Sequence, residues 1–174
     1  WAWSQKDTAD HSAIGTFALL PGPERYILIL DVVSERYALH ELARAIAAVC
    51  RRWRPSLVGI EQGHPSLHDD VREQRDIPEP TWLPTQGKPK LTRAIPAITL
   101  GESHKIFLPE DRTPSWIEPF LNQLASFTGL DDDSDDMVDM LAWAAYMAQR
   151  FQDAYARVGE AVPELLGGGQ ELWQ

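Results

Sequence analysis

The sequence is poor in cysteine, in positive charge and in long apolar runs, and each shortage excludes a class of protein. Cys50 is the only cysteine among 174 residues, so an internal disulfide is excluded and a reducing cytoplasm suits the chain. No apolar run approaches the ~20 residues that a membrane-spanning helix needs, and the N-terminus lacks the basic and apolar regions of a signal peptide. We therefore expect a soluble protein without a secretion signal or a membrane partner.

The net charge of the chain restricts the possible binding partners but does not identify one. The formal net charge is −10, which argues against simple nonspecific nucleic-acid binding. Six aspartates lie between residues 131 and 139, however, and bound metal would mask much of that charge. The run from Gln86 to Lys90 superficially suggests a phosphate loop. It lacks the upstream Gly and the Ser or Thr after Lys that a Walker A loop requires, so we find no ATP site.

Hydropathy patterns predict one α/β domain over residues 1–158 and a flexible Gly-rich tail over residues 159–174. Two β-rich runs around Pro21-Gly22-Pro23 predict a hairpin of strands 13–20 and 26–33. A strand that follows a helix predicts a mixed central sheet covered by helices on both faces. The remaining predicted elements are helices over 39–53, 66–75, 90–100, 115–127 and from 135 onwards, and strands over 56–61, 81–84 and 105–108.

The stretch from Leu130 to Trp143, LDDDSDDMVDMLAW, runs from aspartates straight into an amphipathic helical pattern. Ser134 is a good N-cap, which would place Asp135 and Asp136 in the first turn of the helix. Asp135 and Asp139 are four residues apart and share a helix face, where their repulsion becomes favourable if a divalent cation neutralises it. The local pattern therefore predicts a site for a hard cation.

Two simpler interpretations compete with a metal site. A solvated acidic loop that keeps the protein soluble fits the same aspartates and stays open at this point. An EF-hand calcium loop fails, because Asp136 would stand where the loop needs Gly and Ala142 where it needs Glu.

Two further groups come from other parts of the chain. Glu61 ends an otherwise apolar strand, which is where ligand sites of open α/β sheets collect, although a strand emerging into solvent explains it equally simply. Lys88, Lys90 and Arg93 form a basic group just before and within a helix start, which suits phosphate contacts. A solvated helix start is the alternative for these three cations.

Together these pieces resemble the nuclease domain of tailed-phage large terminases. The similarity lies in the order of several short motifs between Trp1 and about residue 157, and Asp10-His11-Ser12-Ala13 resembles part of that family's opening. The other motifs are SLVGIE ending at Glu61, K-P-K-x-x-R-A from Lys88, K-I-F-L-P from Lys105, W-x-x-x-F from Trp116 and D-D-M-V-D from Asp135.

The resemblance implies a ribonuclease H-like (RuvC-type) fold and metal-dependent cutting of double-stranded DNA during genome packaging, with two Mg²⁺ or Mn²⁺ ions. It implies that Glu61, Asp135 and Asp136 are catalytic metal ligands and that Asp10 lies near the metals. Because hard divalent ions require carboxylates from several elements, we expect Asp139 to be a further peripheral ligand or to lie just outside the ligands. Lys88, Lys90 and Arg93 would hold the DNA backbone. The family's first catalytic acid would stand just before Trp1.

The resemblance also implies an upstream ATPase motor domain, a portal and a small terminase as partners, and a phage protein that works in the host cytoplasm. Two other functions fit the same residues. A ribonuclease H-fold junction resolvase would use the same carboxylates on branched DNA. A non-catalytic docking module would use the acidic stretch to bind a basic partner.

Overall fold

The computed structural model describes residues 11–20, 26–63, 65–84, 87–110, 113–130 and 135–151. Within these residues the chain forms five strands and five helices, a mixed α/β architecture. The strands are β1 (His11–Leu20), β2 (Tyr26–Arg36), β3 (Gly59–Glu61), β4 (Thr81–Leu83) and β5 (Ile106–Phe107). The helices are α1 (Leu39–Trp53), α2 (Pro65–Arg72), α3 (Lys90–Glu102), α4 (Ile117–Ser126) and α5 (Asp136–Arg150).

The strands of the described residues form two small sheets rather than one central sheet. β1 pairs antiparallel with β2, and β2 pairs parallel with β5, so the larger sheet is mixed. β3 pairs parallel with β4 in a separate two-stranded sheet. The predicted hairpin is confirmed by the β1–β2 pairing and the mixed character of the sheet is confirmed by β5. The prediction of a single sheet does not hold for the part of the chain that is described.

Two apolar clusters lie on opposite faces of β1, because successive side chains of a strand point to opposite sides. Ala13 and Phe17 pack against a cluster built on β2 and α5, with Ile29, Phe120 and Leu141 in its centre. Ile14 packs against the other cluster, which is built on α1, α2 and β3. Helices therefore cover both faces of the strand layer, as the sequence predicts.

Some helix and strand boundaries agree with those predicted from local sequence signals, and others differ from them. α1 has the predicted bounds: Glu41 Oε2 accepts a hydrogen bond from the Ala38 backbone N–H at 3.0 Å, and Arg54 ends the helix in a left-handed conformation before Pro55. α3 continues through Pro96 to Glu102, two residues beyond its predicted end. β3 is only three residues long, although the apolar run before Glu61 predicts a longer strand.

The start of α5 differs by one residue from the prediction. Asp135 itself occupies the N-cap position, and Asp136 is the first helical residue. The Asp135 backbone carbonyl accepts hydrogen bonds from the N–H groups of Val138 and Asp139, each at 2.9 Å. Ser134, the predicted N-cap, lies outside the described residues, as do Asp10 and the predicted tail over residues 159–174. No helix of the described residues is long and apolar enough to cross a membrane.

Candidate functional site

Three separate elements bring charged groups to one end of the strand layer. Glu61 is the last residue of β3, and Asp135, Asp136 and Asp139 lie at the N-terminus of α5. Lys90 and Arg93 lie in the first turn of α3, which packs along α5. A spacing of three residues places these two cations on the same face of α3. Packing of α3 against α5 therefore sets basic side chains directly on the acidic cluster.

Arg93 joins the acids of β3 and α5. Its Nη1 donates to Glu61 Oε1 at 3.0 Å, and its Nη2 lies 3.1 Å from Asp139 Oδ1. Only 12% of the Arg93 side chain is exposed, and the guanidinium lies 5.7 Å from the ring centroid of Trp143. The guanidinium is thus held by two carboxylates and an aromatic face. Its Nε is buried without a hydrogen-bond partner in the described structure.

Lys90 neutralises the most buried acid of the cluster. Its Nζ donates to Asp135 Oδ2 at 2.5 Å, and the Asp135 side chain is 8% exposed. The hydrogen bond to Asp135 raises the pKa of Lys90, partly offset by its burial. Burial of an unpaired carboxylate is costly, so Lys90 is the group that makes a buried Asp135 tolerable.

Asp136 and Asp139 have raised pKa values, because both carboxylates are partly buried and lie close to other acids. Burial is the largest cause for both residues. For Asp139, Arg93 opposes the rise in pKa, while the charges on Asp135 and Glu61 add to it. For Asp136, the charge on Asp135 adds to the rise and His11, at the start of β1, opposes it. The acids are close enough to repel one another, as neighbouring carboxylates in functional sites do.

The structure places the predicted site residues as follows. Glu61, Asp135, Asp136 and Asp139 come together with Lys90 and Arg93 at one end of the strand layer. Lys88 is exposed, two residues before α3. Asp10 lies outside the described residues. Two of the three cations that the sequence suggests for DNA phosphates therefore contact carboxylates in this structure.

Sequence reasoning missed a residue that builds the site. The Gln123 side chain of α4 is buried, and its Oε1 accepts a hydrogen bond from the Met137 backbone N–H at 2.6 Å. This bond satisfies one of the N–H groups that the start of a helix leaves unpaired. A lone Gln on the apolar side of a helix was the available signal, since such a residue needs a buried partner.

The donor chemistry of the cluster suits Mg²⁺ or Mn²⁺, because both ions prefer carboxylate oxygens from several elements. Among the described residues, no three His, Cys, Asp or Glu side chains are already grouped as a metal site would need. In this arrangement the cationic groups of Lys90 and Arg93 contact Asp135, Glu61 and Asp139 instead.

Comparison of the chain with protein-family models, with curated proteins and with solved structures finds no match.

Proposed function

We propose that this chain is the endonuclease domain of a viral large terminase, with a ribonuclease H-like fold, and that it cuts double-stranded DNA during genome packaging. The proposal rests on one observation, the proximity of Glu61 to the acidic residues at the start of α5. Glu61 and Asp139 are 78 positions apart in the sequence and bind one guanidinium. Carboxylates from a strand end and a helix start, together with phosphate-binding cations, are the groups that phosphodiester hydrolysis needs.

In this proposal Glu61, Asp135 and Asp136 are the metal ligands, and Asp10 and Asp139 lie at the periphery. Two Mg²⁺ or Mn²⁺ ions would supply the activated water and the stabilisation of the leaving oxygen. The residues of the chain then have three tasks. The acids would hold the metal ions, Lys90 and Arg93 balance part of the remaining negative charge, and the exposed Lys88 would contact the DNA backbone.

The electrostatics of the site support binding of a polyanion only after the acids are neutralised. Four acids and two cations leave a net negative charge at this end of the molecule. A phosphodiester is repelled by such a surface until cations bind to it. The proposal therefore requires DNA binding to depend on the divalent metal, and phosphate contacts of this kind carry no base specificity.

An upstream ATPase motor domain, a portal and a small terminase are the proposed partners besides DNA, in the cytoplasm of a phage host. A ribonuclease H-fold junction resolvase remains the enzymatic rival. It would prefer a four-way junction to a linear duplex of the same length.

One observation favours a non-catalytic docking module as the second candidate. Lys90 and Arg93 already neutralise Asp135, Glu61 and Asp139 without a metal ion. These ion pairs balance part of the acidic charge without a metal ion, as a site with no catalytic metal would require. This candidate predicts no DNA cleavage and no effect of Mn²⁺ on thermal stability.

Cleavage of supercoiled plasmid tests the three functions together. The chain is incubated with Mn²⁺, Mg²⁺ or EDTA beside Glu61→Gln, Asp135→Asn and the control Glu73→Gln, which changes an exposed acid just beyond α2. We expect cutting with Mn²⁺ by the wild type and the control, and a loss of about 100-fold or more in the two site variants. Equal cutting by Glu61→Gln would refute the assignment of Glu61.

Absence of cutting in every chain, together with no Mn²⁺-dependent rise of the melting temperature, would favour the docking module. Cutting that is much faster on a four-way junction than on a duplex would favour the resolvase.

A further inference from the structure

The outward face of α3 carries no charge between the two ends of the helix. From Leu91 to Gly101 the exposed residues are apolar, threonine or glycine, namely Leu91, Thr92, Ile95, Ile98, Thr99 and Gly101. Leu91, Ile95 and Ile98 are 44%, 53% and 41% exposed. A helix that lies against a protein core normally turns charged and polar residues to water. The outward face of α3 instead presents large aliphatic side chains to the solvent.

α1 provides the contrast within the same protein. Its exposed residues include Glu41, Arg44 and Arg51, as expected of a helix with one face on the core. Apolar surface also continues beyond the Leu91 end of α3, because a Cβ built on Gly129 would lie 2.7 Å from Leu91 Cβ and the next residue, Leu130, is 77% exposed. Contiguous exposed apolar surface of this kind marks an interaction site.

The spacing of the aliphatic residues indicates what kind of partner fits. Leu91, Ile95 and Ile98 are four and three residues apart, so they form one stripe along the helix. The same three-and-four spacing leads to Lys88 just before the helix and to Glu102, its last residue, and both are exposed. Alternation of three and four residues is the repeat by which one helix packs along another. The stripe is therefore apolar in the middle, basic at one end and acidic at the other.

We propose that the outward face of α3 is a self-association surface, on which a second copy of this chain docks with the two α3 helices antiparallel about a two-fold axis at Ile95. Lys88 and Glu102 are each seven residues from Ile95. An antiparallel pair therefore places Lys88 beside the partner's Glu102 at both ends of the interface. A parallel pair would place like charges together at both ends, which is unfavourable. Such a self-complementary patch is what a two-fold dimer requires.

The polar groups of α3 permit this face to be buried. Thr99 Oγ1 donates a hydrogen bond to the Ile95 backbone carbonyl at 2.9 Å, so covering this hydroxyl leaves no unpaired donor. Lys90 and Arg93 bind acids of β3 and α5 and do not oppose a second helix. The helix has 13 residues and is about 20 Å long, so the interface is small and the dimer is weak.

This inference does not depend on the proposed function. It touches that function at one residue, because Lys88 is also the cation proposed to contact the DNA backbone. DNA and a second copy of the chain would therefore compete for Lys88.

Sedimentation equilibrium between about 5 μM and about 1 mM protein, in EDTA and at low salt, tests the proposal. We expect the average mass of the wild type to rise from that of one chain, 19.6 kDa, towards twice that value. Ile95→Glu places two like charges on the axis and should lower the association constant about tenfold or more. Leu121→Glu adds the same charge at a 40% exposed apolar position of α4 and should associate as the wild type does.

Charge exchange tests the antiparallel arrangement. Lys88→Glu and Glu102→Lys each place like charges together at both ends, so each should weaken association by about twofold to fivefold. An equimolar mixture of the two variants restores opposite charges at both ends and should associate like the wild type. The double variant Lys88→Glu/Glu102→Lys should do the same, and it keeps the wild-type net charge of −10.

Three results would overturn the proposal. The first is the mass of one chain at every concentration, which would leave this face of α3 to another kind of partner. The second is association that Ile95→Glu does not weaken, because the interface would then lie elsewhere. The third is association that neither single charge change weakens, because the helices would then not be antiparallel about Ile95.

Discussion

Arg93 binds Glu61 and Asp139 at the same time, and so connects the end of β3 with the first turn of α5. The guanidinium lies where carboxylates from two elements converge. Its geometry suits the task, because the planar fork presents several donors to two acceptors at once. Arg93 is therefore an internal counter-ion of the acidic cluster, beside Lys90.

Replacing Arg93 by Met separates the structural role of the guanidinium from a metal site. In EDTA, we expect a loss of about 2–4 kcal/mol in the free energy of unfolding, because two partly buried carboxylates lose their partner. With Mn²⁺ the variant should recover more stability than the wild type, since the ion no longer competes with an arginine. Melting curves over a range of Mn²⁺ concentrations measure both effects.

Arg51→Met is the matched control for Arg93→Met. Arg51 also forms a 2.7 Å ion pair, with Asp76, but its side chain is 56% exposed. Loss of such a surface pair costs about 0–1 kcal/mol, and the Mn²⁺ dependence should stay that of the wild type. Equal Mn²⁺ dependence in Arg93→Met and wild type would show that Arg93 does not compete with the ion. Absence of any Mn²⁺ effect in both would count against the metal site itself.

Asp136→Asn should stabilise the metal-free chain at neutral pH. The pKa of Asp136 is raised in the folded state, first by burial and then by Asp135, so the folded chain holds this proton more tightly than the unfolded chain does. Stability therefore falls as the pH rises from the usual aspartate range to the raised pKa. Removing the charge should restore about 0.5–1 kcal/mol at pH 7, the size of interactions between partly screened charges.

Urea unfolding in EDTA between pH 4 and pH 7 measures this effect. Asp69→Asn, at an exposed position of α2, serves as the control and should follow the wild-type pH dependence. A variant Asp136→Asn that is less stable than wild type at pH 7 would show that the Asp136 carboxylate makes a favourable contact that outweighs the repulsion.

Gln123→Ala should loosen the start of α5. The substitution removes the acceptor of the 2.6 Å bond from the Met137 N–H and leaves a buried donor unpaired, which costs about 1–3 kcal/mol. Asn122→Ala changes the exposed neighbour on the same helix and should cost about 0.5 kcal/mol or less. Hydrogen exchange at Met137 gives a local readout. Unchanged exchange there would mean that the Gln123 bond does not hold the helix start.

Local signals in the sequence were sufficient for α1, whose Glu41 and Pro55 mark its two ends. They were sufficient for the β1–β2 pairing as well, because two long β-rich runs around one turn have few other ways to bury their apolar sides. The apolar run before Glu61 predicted a longer strand than the structure has. A segment forms a strand only where a neighbouring strand pairs with it, and only three residues of this run pair with β4. Strand length is a property of pairing rather than of one segment.

The candidate site was likewise predictable only in part. Glu61 and the aspartates of α5 were predicted from their positions at a strand end and a helix start. The ion pairs of Lys90 and Arg93 with those acids were not predicted. They depend on the packing of α3 against α5, and residues far apart in the sequence determine that packing. The Gln123 bond to Met137 escaped prediction for the same reason, since it joins two helices.

Gly59→Ala tests how closely α5 must approach β3 for the acids to meet. A Cβ built on Gly59 meets the end of the Met147 side chain and lies 2.9 Å from Leu83 Cδ1, so both side chains would have to move. We expect a loss of about 1–3 kcal/mol, the usual cost of overpacking. Gly63→Ala, two residues beyond β3, meets nothing within 4 Å and should be close to neutral. Thermal unfolding of the two variants, measured side by side, decides the point: a Gly59→Ala chain as stable as Gly63→Ala would mean that Met147 moves aside without cost and that this contact does not fix the distance between Glu61 and α5.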